Sequence, residues 1–211
     1  MARTTGTGYA YRDSVIAVSQ GNISMGASIG RTSQAFGALH NSMSAFSIVN
    51  PAVRDEIAAT AVGLENMGIS ADQTGMMVDT FMRVMGKSAG DARKSADDLA
   101  NFASDIGVAP SKMVADFAST MPKLAAYGKD AERVFKSLAD KAKGLGLEMN
   151  DLLGITQQFD TFEGAADAAG KLNAILGGQV LDSMQLLTAE TEEQRVAMIQ
   201  NALAMSGKSF D

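Results

Sequence analysis

Apolar residues in the first fifty positions recur at alternating steps of three and four. Val15, Val18, Asn22, Met25, Ile29, Thr32, Phe36, Leu39, Met43 and Phe46 follow this rhythm, the a/d seam of a coiled coil sustained over more than four heptads. Eight of the ten are apolar, and Asn22 and Thr32 are polar residues of a kind such a seam tolerates. Gly21, Gly26, Gly30 and Gly37 oppose a helix, each costing about 1 kcal/mol relative to Ala. Residues 1–50 are therefore expected to form either an oligomerising, coiled-coil-like helix or an extended Gly/Ser/Ala-rich flexible arm.

From residue 51 the pattern changes to short helices. Asn50-Pro51 supplies an N-cap and a first-turn proline, and Ala52, Val53, Ile57, Ala58, Ala61 and Leu64 form a helical stripe ending near Gly68. A repeat follows. Gly68-Ile69, Gly107-Val108 and Gly146-Leu147 lie 39 residues apart, as do Asp91-Ala92 and Asp130-Ala131, and Leu99-Ala100 and Leu138-Ala139. Each unit reads as helix, Gly-containing turn, helix, an αα-hairpin whose apolar face must stack on a neighbour. Helices are predicted near 71–85 and 89–106, near 111–127 and 130–143 with Pro122 kinking or dividing the first of them, near 148–158 and 162–176, and near 183–187 and 191–205. No strand pattern competes. The expected fold is all-α, with residues 1–50 as one domain and residues 51–211 as a hairpin-repeat domain.

Composition agrees with helices. The 211 residues include 46% apolar and 20% charged positions, no Cys, no Trp, three Pro and 14 Met, enough to bury a core in one or two domains. No apolar run is long enough for a membrane span or a signal-peptide core, and the lack of Cys suits a reducing compartment and excludes thiol catalysis. The net charge of −6 is uneven, −7 over 144–211 and +2 over 87–143. No basic face for nucleic acid is predicted.

Little in the chain suggests chemistry. Gly86-Lys87-Ser88 matches the end of a phosphate-binding loop, but position 81, where the first glycine belongs, is Phe81, and an amphipathic Met-rich helix precedes it instead of a strand. Gly86 is expected to stop one helix and Ser88 to cap the next. His40, the one histidine, has no acidic neighbour in sequence, and is expected at a solvent-facing or interface position. Asp97-Asp98 and Glu192-Glu193 are adjacent carboxylates that diverge by about 100° on a helix and suit a solvated face or a helix N-terminus. No hydrolase, metal or calcium signature occurs, so no catalytic residue, cofactor or metal ligand is assigned. The methionines suit either irregular core gaps or an adaptable groove for a partner helix.

Residues 68–178, "GISADQTGMMVDTFMRVMGKSAGDARKSADDLANFASDIGVAPSKMVADFASTMPKLAAYGKDAERVFKSLADKAKGLGLEMNDLLGITQQFDTFEGAADAAGKLNAILGG", resemble the helical-hairpin region of tailed-bacteriophage tail tape-measure proteins. The resemblance rests on the Gly-aliphatic turns, on "LAAYGKDAERV" at 124–134, and on "FDTFEGAADAAGKLNAILGG" at 159–178 followed by Leu186-Leu187 and a capped helix; at its widest it runs from 51 to 205. It implies a non-enzymatic virion protein in the tail tube lumen or tip, acting in tail assembly, length determination and genome ejection. It further implies self-association as a trimer or hexamer, tail-tube and baseplate partners, contact with the host envelope during ejection, and assembly in the host cytoplasm, without a small-molecule substrate or specific nucleic-acid contact. One feature departs from the family. At about 1.5 Å per residue, 211 helical residues span roughly 300 Å, short for a measuring protein, so the chain is expected to be a short relative, a fragment, or a protein that shares only the hairpin module. The alternative reading is a helical-repeat adaptor or scaffold binding its partner through a Met-rich groove.

Overall fold

The computed structural model describes residues 11–207. They are all-helical, with no strand among them: α1 (Arg12–Gly21), α2 (Ile29–Ser42), α3 (Pro51–Glu65), α4 (Ala71–Arg83), α5 (Ala89–Asp105), α6 (Pro110–Leu124), α7 (Ala131–Leu145), α8 (Met149–Gln157), α9 (Phe162–Leu176), α10 (Ser183–Thr188) and α11 (Glu192–Ser206). Short 3₁₀ turns cover Ile23–Met25, Ala125–Asp130 and Gln158–Asp160. The chain divides into two compact units, residues 1–131 and 132–211, and not at residue 50.

Local chemistry explains the helix limits from Asn50 onward. The Asn50 side chain accepts the Ala52 amide, Ser70 and Gln73 form a reciprocal capping box, Ser88 accepts the Asp91 amide, and Thr161 and Thr191 accept those of Gly164 and Gln194. The 39-residue repeat is a repeat of helix stops. At Gly68, Gly107 and Gly146, φ is +82°, +69° and +71°, a left-handed conformation that only glycine adopts without strain. The next residue then bonds back to the helix. Ile69, Val108 and Leu147 donate to the carbonyls of Leu64, Ala103 and Ala142 at 3.1, 2.8 and 2.9 Å, while the three glycines donate to Glu65, Ser104 and Lys143. This is the Schellman motif, in which an aliphatic residue after the glycine covers the last helical turn. Pro122 lies within α6, which continues to Leu124 before tightening into 3₁₀ geometry, as expected where a missing N–H removes one helical bond.

The first segment forms no single long helix. Asn22 turns back to donate its side-chain Nδ2 to the Val18 carbonyl at 2.8 Å, satisfying a free acceptor at the end of α1. Gly26 then adopts φ +77°, and Ser28 caps α2 by accepting the Arg31 amide. The heptad rhythm is thus cut at Asn22, and the two halves fold onto the rest of their unit. α2 packs most extensively on α4, α1 packs on α2 and α3, and α3 on α4 and α5. Neighbouring helices also pack, α4 on α5 and α5 on α6, so contacts between elements further apart in sequence are added to the neighbour stacking expected of a hairpin repeat.

Packing differs between the units. In the first, Tyr11, Phe36 and Phe46 form a triangle with centroids 5.7–5.8 Å apart, and Phe81 lies 4.9 Å from Phe117. Gly75 permits the close crossing of α2 and α4: a Cβ added there would lie 2.0 Å from Ser42 Oγ. The second unit is built on Phe159, Ala165, Ala168, Ala169, Leu176, Leu186, Ile199 and Leu203. Arg195 is 8% exposed within that unit. Its guanidinium donates to the Leu186 and Thr156 carbonyls and to Asp160, which compensates an otherwise costly buried charge.

Candidate interaction surface

Seven of the ten heptad positions, Val15, Val18, Thr32, Phe36, Leu39, Met43 and Phe46, are buried within the first unit, and Asn22 is half-buried. Met25 and Ile29 remain outside, 39% and 63% exposed, beside Ile23 at 68%. Burial inside the protomer removes most of the expected seam from reach of a partner. What is left is an apolar corner between α1 and α2.

That corner is tied down by polar groups on α2 and α3. Arg31 Nη1 donates to the Gly26 carbonyl at 2.9 Å, Arg31 Nε and Nη2 reach Glu65 Oε2 at 3.2 and 2.9 Å, and Nη2 also reaches the Val62 carbonyl at 3.3 Å. Asn66 Nδ2 completes the clamp on the Met25 carbonyl at 2.9 Å. The Arg31 and Glu65 side chains are 33% and 27% exposed, so the pair's stabilisation is at most about 1 kcal/mol; its planar, multiply bonded geometry fixes position instead.

Beside the corner, α3 and α5 leave an open groove of about 450 Å³. Ala59, Thr60 and Gly63 form a floor of small residues. Met25, Leu64 and Met67 supply the apolar lining, while Glu56, Arg93 and Asp97 contribute charge. Arg93 pairs with Glu56 at 3.4 Å and donates to Thr60 Oγ1 at 3.2 Å. Glu56 is 60% exposed at its side chain. The arrangement suits a protein side chain or helix: apolar walls with adaptable thioethers, and charge to orient the occupant.

The other sequence candidates occupy structural positions. Gly86 has φ +66° and Ser88 caps α5, while Lys87 donates to Ser95 Oγ at 2.6 Å and lies 5.1 Å from the Phe81 ring centre. Its ammonium closes the α4–α5 turn. His40 is half-buried, with Nδ1 3.3 Å from Ser47 Oγ and 3.5 Å from the Tyr11 hydroxyl. Arg54 covers the opposite side of this cluster, 4.7 Å over the Tyr11 ring. Asp97 lines the groove and Asp98 is exposed, whereas Glu193 pairs with Arg133 at 3.2 Å in the second unit. Among the described residues no cluster of three or more His, Asp or Glu is placed to hold a metal, and no helix is long and apolar enough to cross a membrane.

Comparison with protein-family models, curated proteins and solved structures returns no match. Sequence reasoning missed Arg31, Glu56, Glu65, Asn66 and Arg93, the polar frame of the corner and groove. Arg31 did carry a signal, being the lone charge between residues 14 and 50.

Proposed function

We propose that the chain is a non-enzymatic structural protein of the tail tape-measure type, contributing to tail assembly and length determination and to genome ejection from the tube lumen or tip. The observation that carries this reading is the 39-residue recurrence at Gly68, Gly107 and Gly146 of one helix stop with one backbone geometry, within the stretch whose phrases resemble that family. Short, separately capped helices with alanine- and methionine-rich contacts suit a protein that changes shape between assembly and ejection. Its partners on this reading are tail-tube and baseplate proteins.

Co-expression with a tail-tube subunit tests it. The chain is expected to sediment with assembled tubes and to be shielded there from added protease. Tubes that assemble without it, leaving it soluble and digestible, overturn the reading. The adaptor reading is favoured by one observation, the two methionines, Met25 and Met67, in the α3–α5 groove. It predicts that Met67→Asp abolishes partner capture while tube association is absent from the start.

A further inference from the structure

From one backbone edge in the second unit, we infer that the segment from Val180 to Asp182, between α9 and α10, binds an extended, basic stretch of polypeptide from a partner protein. This inference does not rest on the tail reading.

Asn173 makes the edge. Its Oδ1 accepts the Leu181 amide at 2.8 Å and its Nδ2 donates to the Leu181 carbonyl at 2.8 Å, so one side chain of α9 pairs with Leu181 as a neighbouring strand would. Both peptide bonds of Leu181 are trans, and in a planar trans peptide the C=O and N–H point opposite ways. The Val180 carbonyl and the Asp182 amide, which share those two planes, therefore face away from Asn173. Among the described residues nothing donates to the one or accepts from the other. An acceptor and a donor on one edge, with a single residue between them, match the N–H and C=O of one extended residue laid alongside, which is how a peptide adds itself to a strand. Asn173 also accepts the Val180 amide at 3.0 Å, and its three bonds hold the edge in place before a partner arrives.

Two hollows flank the segment and suit side chains that alternate along an extended chain. The larger, about 580 Å³, has Ala166 and Gly170 as a floor of small residues, with Gln179, Asp182, Ser183 and Gln185 around it. The smaller, about 180 Å³, is walled by Leu186, Met198, Ala202 and Met205. One takes a long polar side chain and the other an aliphatic one. Charge selects a cation for the first. Asp182 is exposed, commits only Oδ1 to capping the Met184 amide at 2.8 Å, and belongs to a stretch, 144–211, of net charge −7.

The probe is a synthetic peptide of alternating lysine and valine with both ends blocked, titrated into the intact, isotope-labelled chain and followed by amide NMR. The expected result is a saturable shift centred on the amides from Val180 to Ser183, with binding about tenfold weaker or more when glutamate replaces each lysine. N-methylation separates backbone pairing from side-chain binding. Methylating the lysine nitrogens or the valine nitrogens blocks opposite edges of the extended peptide, so the two isomers are expected to differ in affinity by about tenfold or more. On the protein side, Asp182→Asn keeps the amide and an α10 cap and removes the charge, and is expected to weaken the lysine peptide by roughly threefold or more. No shift at millimolar peptide, shifts centred elsewhere, isomers of equal affinity, or indifference to both charge changes overturns the inference. A chain that sediments with tail tubes and fails these tests keeps its proposed function and loses this edge.

Discussion

The first unit completely buries Phe36, Phe46 and Phe81, with Phe117 at 1% exposure and Tyr11 against two of these rings, whereas the second completely buries Phe135 and Phe159 and gathers alanines and leucines around Phe159 with Arg195 inside it. Two sources of specificity follow. In residues 11–131 ring shape and one close helix crossing select the arrangement, and area burial supplies the energy. In residues 132–207 the cluster around Phe159 is filled largely by alanines, which leave its packing less determined. Fixed polar pegs supply the missing definition: Arg195 on two backbone carbonyls, and Asn173, which bonds both Val180 and Leu181 amides and the Leu181 carbonyl.

The comparison is sharpest under truncation of Phe36. Phe36→Ala is expected to destabilise the first unit by about 4 kcal/mol, read as a lower urea midpoint, with the loss of hydrogen-exchange protection concentrated in residues 11–131. Equal loss in both units breaks the contrast. Next in size is Arg195→Met, which keeps an apolar stem but leaves the Leu186 and Thr156 carbonyls without their partner. A cost of about 3 kcal/mol is expected, with protection lost in residues 132–207; a neutral outcome makes the second core area-driven like the first.

Two glycine substitutions separate close packing from open space within one unit. Gly75→Ala forces a Cβ against Ser42 Oγ and is expected to cost about 2 kcal/mol, part of which Ser42→Ala restores in the double variant. Gly63→Ala, whose Cβ would meet Met25 Sδ at an ordinary 3.6 Å, is expected to stabilise α3 by about 0.5–1 kcal/mol. Thermal melts of the two variants should therefore shift in opposite directions. Shifts of the same sign place the α2–α4 crossing elsewhere.

Legibility in the sequence followed the range of the interactions. Many helices from Pro51 to Ser206 could be read because their signals are local: an Asn, Ser or Thr cap at the start of α3, α4, α5, α9 and α11, and a left-handed glycine with an aliphatic follower after α3, α5 and α7. The Gly86-Lys87-Ser88 turn was read correctly for the same reason, Phe81 standing where a phosphate loop needs glycine. The first fifty residues misled because hydrophobic spacing reports that a face is buried and not against what. Val15 and Phe36 keep the rhythm of one seam, yet Asn22, read as a seam polar residue, ends a helix. The Arg31–Glu65–Asn66 clamp joins residues 34 and 35 positions apart, and Arg195 reaches Thr156 from 39 positions away. Neither has a periodic or motif signature. Both depend on a tertiary arrangement that spacing does not encode.

The recurring helix stops have a consequence for how such a chain can change its length. A segment running from Gly68 to just before Gly107 starts and finishes at the same backbone conformation, with an aliphatic follower, Ile69 or Val108, to seal the preceding turn. Duplicating or excising a block of that size joins a helix terminus to the same kind of left-handed glycine stop, so the local backbone geometry at the junction is preserved. Tandem recombination could thus alter this protein in whole cassettes, and its length would evolve in steps instead of by single residues.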